Sequence, residues 1–76
     1  MATEDIDGRT WLAGFAASLG LATPSEQDIE QLLDLAGVAA HDSERIAAPI
    51  ACWLIGTAGL APADALAAAR RFAAER

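Results

Sequence analysis

The stretch DLAGVAAHDSERIAAPIACWLIGTAG, Asp34–Gly59, decides the fold. It has two apolar arms around one polar island, His41-Asp42-Ser43-Glu44-Arg45. Asp42 and Ser43 favour turns because their side chains compete for nearby backbone amides. Pro49 suits the first turn of a helix, where a missing N–H costs little. The stretch therefore reads as helix, connection, helix, with the second helix starting at Ala48 or Pro49 and closing near Gly59. This last helix is apolar all round. Ile50, Trp53, Leu54 and Thr57 form one side, and Cys52, Ile55, Gly56 and Gly59 the other. A helix without a polar face is normally covered on most sides. Too little chain surrounds this one to make that easy: either the other three helices wrap it, or one side meets a partner.

Upstream, Thr23-Pro24-Ser25-Glu26 reads as a helix start. Threonine is the expected N-cap, proline the first helical residue, and the glutamate reaches back to the cap's amide. That helix carries Ile29, Leu32, Leu33, Ala36 and Ala40 on its expected inner face, with Leu35 at the flank. Further back, Trp11, Leu12, Phe15, Ala16 and Leu19 repeat at helical spacing. They predict a helix over Gly8–Leu19, with Trp11 and Phe15 in the core. Gly20 takes the left-handed position that glycine enters cheaply. Residues 1–7 read as a solvated leader. Downstream, Pro62 opens a fourth helix, with Asp64 in its first turn. Ala65, Leu66, Ala69, Phe72 and Ala73 are its expected buried face. Arg70, Arg71 and Arg76 complement the negative end of the same helix. The expected fold is all-α, one domain over 1–76, a compact bundle of four short helices.

Composition narrows the function. The 76 residues carry a formal charge of −6, with five arginines and no lysine. That balance opposes nucleic acid, whose phosphates need cations, and opposes an anionic membrane surface. No apolar run reaches the ~18–20 residues of a membrane span. The acidic start MATEDIDG lacks the features of a signal peptide, and a lone cysteine, Cys52, forms no internal disulfide. A cytoplasmic protein is expected.

The polar island suggests three kinds of chemistry. One histidine, His41, among Asp34, Asp42 and Glu44 is a poor ligand set for zinc, so no metal is expected. Cys52 beside His41 would make a nucleophile and base, but a thiol within an apolar helix is ordinarily buried and inert, so no catalytic residue is assigned. Arg45, just ahead of a helix N-terminus, could hold an anionic cofactor or nucleotide with His41 as second donor. The simpler reading pairs Arg45 with Asp42 or Asp34 and lets His41 cap its helix. No cofactor is therefore required. Glu44, Pro49, Cys52 and Ile55 are the expected contacts for a protein partner or a second copy.

Asp34-Leu35-Ala36, Ala40-His41, Arg45, Ala47-Ala48-Pro49 and Leu54 to Gly56 together resemble a small actinobacterial family of helical domains of unknown function. Trp11-Leu12 and Leu19-Gly20-Leu21 fit the same pattern. The chain departs from it at Gly37-Val38, Ile46 and Ala51-Cys52. Relatives of that family also form the tail of proteins resembling molybdenum cofactor guanylyltransferases. The resemblance implies an accessory role in molybdenum cofactor maturation or molybdoenzyme assembly, without catalysis of its own.

Overall fold

The computed structural model describes residues 6–76. The part of the expected leader formed by residues 1–5 lies outside them. Four helices follow in order: α1 Gly8–Ser18, α2 Glu26–Asp42, α3 Ala47–Ala58 and α4 Pro62–Glu75. The all-α, four-helix expectation holds.

The caps explain the boundaries. Asp7 caps α1, its Oδ1 accepting from the Thr10 amide at 2.8 Å. At the other end Gly20 has φ 73°, and the Leu21 amide donates to the Ala16 carbonyl at 2.8 Å. This left-handed turn closes the helix as its glycine predicts. Gly59, φ 72°, closes α3 in the same way, with Leu60 N donating to the Ile55 carbonyl at 3.1 Å.

Two starts differ from expectation. Ser25, and not Thr23, caps α2, accepting from the Asp28 amide at 3.0 Å. Glu26 does not reach back to the cap. Its carboxylate takes the Arg9 guanidinium on both oxygens, which ties α1 to the start of α2. Helix α3 begins at Ala47, ahead of Pro49. The connection supplies the reason: Ala47 N and Ala48 N donate to the Glu44 and Arg45 carbonyls at 3.0 and 3.1 Å, so a tight turn runs straight into the helix. Pro49 then sits in the first turn, where its lost donor goes unmissed.

The extensive packing is α2 against α3 and α2 against α4. Asp34 faces Arg70 at 4.0 Å and Asp42 pairs with Arg76, so α2 and α4 run in the same direction and α3 returns beside them. Leu35, Ala65 and Leu66 form the buried centre, with Val38, Ala51, Cys52, Ile55 and Ala69 packed around it. Ala65 and Leu66 are buried as expected. On α2 the inner position is Leu35, expected at the flank, while Leu33 is exposed. Trp11, Phe15 and Phe72, expected in the core, are exposed at 52%, 48% and 66%. Phe72 is exposed because no helix among the described residues covers the open side of α3 and α4, and Trp11 and Phe15 because α1 packs little against the other helices.

Candidate functional site: an apolar groove between two helices

Helices α3 and α4 both lie on α2 but diverge from each other, and the space between them is a groove of about 600 Å³. Leu35 and Val38 of α2 make its floor. Ile50, Leu54 and Ile55 of α3 make one wall, and Phe72 of α4 stands on the other above a row of alanines. Alanine at Ala68 and Ala69 lets the groove run deep, because a methyl fills little of the space a leucine would take. Helix α3 contributes no charged residue at all.

One end is polar. Arg76 Nε donates to Asp42 Oδ2 at 2.6 Å, and its Nη2 donates to Asp42 Oδ1 and to the Asp42 carbonyl, both at 2.9 Å. The guanidinium thus holds the Asp42 carboxyl below its ordinary value and is itself raised. The same contact caps α2, together with the Ser43 hydroxyl, which donates to the Ala39 carbonyl at 2.8 Å. His41 was expected in that capping role and makes no hydrogen bond among the described residues. The two charges at the groove end cancel, so the groove presents no unpaired charge.

Acid is expected to loosen this frame. Asp7 is lowered by the Thr10 amide, Glu26 by the hydrogen bond from Arg9, and Asp42 by that from Arg76. A carboxyl depressed in the folded chain binds fewer protons there than when unfolded. Its stabilisation is present above the unfolded pKa and is lost as pH falls through the folded one. Melting followed by circular dichroism should hold steady from neutral pH down to about pH 5 and decline below about pH 4. The decline should be smaller in Asp42→Asn, and in high salt, because these pairs are solvent-exposed. An unchanged melting temperature down to pH 3 would count against all three contacts.

The expected site residues separate into two groups. His41, Glu44 and Arg45 are exposed on the α2–α3 connection. Both carboxylates expected for Arg45 face α4 instead, Asp34 with Arg70 and Asp42 with Arg76, and Arg45 has no ion pair among the described residues. The start of α3 offers few anion donors: the Ala47 and Ala48 amides are used by the turn and Pro49 has none. Cys52 and Ile55 are half-buried on the inner side of α3, where Ile55 also lines the groove, and Pro49 is exposed. Among the described residues no three His, Cys, Asp or Glu side chains gather as a metal-ligand set, and no helix is long and apolar enough to cross a membrane.

Leu54, Ile50 and Phe72 form much of the groove and were not singled out as contacts. The signal was present in α3, whose Ile50–Leu54 spacing marks one helical side. For Phe72 it was hidden, because an aromatic on an amphipathic helix reads as core.

The family model for the Domain of unknown function DUF6457 matches residues 3–76. No curated protein and no solved structure matches the chain. Its match over nearly the full length means that the chain belongs to the DUF6457 family of domains.

Proposed function

We propose that this domain is a non-catalytic helical interaction module and that the α3–α4 groove is its contact surface. One observation carries the reading: the most apolar helix of the chain lines an open groove with large side chains, while charge is concentrated on α2 and α4. Water against such a surface is costly, at about 25 cal/mol per Å² of apolar area. Groove contacts come from Ile50, Leu54, Ile55 and Phe72. The resemblance drawn from Asp34–Gly56 directs the search for a foreign partner to proteins of molybdenum cofactor maturation.

Leu54→Asp tests the groove. Leu54 is 55% exposed, so the helical spectrum and melting of the isolated chain should change little. Association with itself, or with purified cofactor-maturation proteins in calorimetric titration, should be lost. A Leu54→Asp chain that associates as tightly as the parent would exclude the groove as the contact surface.

A second reading, a small anionic cofactor or nucleotide held by His41 and Arg45, draws support from Arg45 having no ion pair among the described residues. Guanine nucleotide binding that disappears in the His41→Ala/Arg45→Ala double variant would favour it. Binding that persists in that variant would rule the site out.

A further inference from the structure

We infer that the groove is filled by helix α1 of a second copy of the chain, in a reciprocal two-fold dimer. The inference rests on the groove being a contact surface and specifies its occupant. Three observations carry it. The groove is open opposite α2: α3 and α4 both pack on α2, and among the described residues none of α1 lines the space between them. Its occupant should therefore be a helix with one apolar face.

Helix α1 is such a helix and packs little in its own protomer, where Ala16 is its one buried residue. Trp11 and Phe15 stack on each other, with centroids 4.9 Å apart, and both remain about half exposed. Its eleven residues, about 16 Å long, carry one charge, Arg9, already neutralised by Glu26. An uncharged stripe thus meets an uncharged groove, and dimerisation buries no unpaired charge despite the −6 of each chain. In its own protomer no residue of the helix lines the groove. Arg9 fixes it at Glu26, whereas the groove begins nine residues on, at Leu35, roughly 13 Å further along α2.

Exposed apolar surface supports a second copy. Trp11, Leu12 and Phe15 of α1 and Ile50, Leu54 and Phe72 around the groove are each between 37% and 66% exposed, and one reciprocal contact covers both sets. Two identical grooves and two identical helices satisfy each other in an isologous contact that closes without leaving either exposed.

The test combines dilution with complementation. Light scattering should give a dimer that dissociates on dilution. In a Trp53→Phe chain, Trp11 alone reports, and its emission should be blue-shifted in the dimer and move red as it dissociates. Phe15→Asp and Leu54→Asp should each be monomeric and still helical, and mixing them should restore a heterodimer through the one intact helix–groove pair. Phe15→Ala, which keeps a good helix former at an exposed position, should raise the dissociation constant at least tenfold. A dimer broken by Leu54→Asp but not by either Phe15 variant overturns α1 as occupant and leaves the groove standing. A dimer indifferent to both positions overturns the inference and the groove reading together. A strict monomer with Trp11 solvent-exposed at every concentration overturns the second copy and leaves the groove to a foreign partner.

Discussion

Leu35→Ala is expected to remove a large part of the chain's stability. Leu35 is 1% exposed and is the one large side chain fully buried among the described residues. It touches both halves of the structure, because α2 packs against both α3 and α4. Buried leucine-to-alanine changes cost about 3–5 kcal/mol, the upper end applying where the cavity cannot collapse. Here the site is pinned between Ala65 and Ile55 and cannot close without moving α3 or α4. A chain of 76 residues has a total stability of about 4–11 kcal/mol. Chemical denaturation followed by circular dichroism, at fixed protein concentration, measures the loss. A cost below about 1 kcal/mol would mean that the centre of the fold lies elsewhere.

Ala65→Leu is expected to destabilise the chain through the opposite fault. Ala65, 1% exposed, packs in the same centre as Leu35, between α2 and α4. Its methyl sets how closely those helices approach. Added side-chain atoms must push α4 away, at a cost of about 1–3 kcal/mol for overpacking. The shift would also stretch the Asp34–Arg70 and Asp42–Arg76 contacts. Ala67→Leu, at an exposed position of the same helix, is the matched control and should stay within about 0.5 kcal/mol of the parent. Equal stability of both variants would show that α4 is free to move off α2.

These two sites show how a small fold can rest on a few residues. The buried centre has one leucine from α2 and an alanine and a leucine from α4, closed on one side by Cys52 and Ile55. Much of the remaining apolar surface faces outward, on α1, α3 and Phe72. A second copy filling the groove would make stability rise with protein concentration, by mass action. The same surface that limits the isolated protomer would then be its means of assembly.

Four helices, their approximate limits and the glycine stops were legible in the sequence, because local chemistry decides them. Gly20 and Gly59 end helices through their own φ, Pro62 opens one, and Asp7 caps one whatever surrounds it. The apolar character of α3, and the need for something to cover it, were equally legible, since a helix without a polar face shows itself in composition. Which apolar residues face inward was not. Periodicity marks a stripe without saying what lies opposite, so Trp11, Phe15 and Phe72 looked like Leu35 and Leu66. Only the tertiary arrangement separated them, by running α2 and α4 in the same direction, turning Cys52 and Ile55 inward, and leaving Ile50, Leu54 and Phe72 around an open groove. It also gave Arg9 to Glu26, and Asp42 to Arg76. These are contacts between residues 17 and 34 positions apart, set by where helices lie and by nothing in the local sequence.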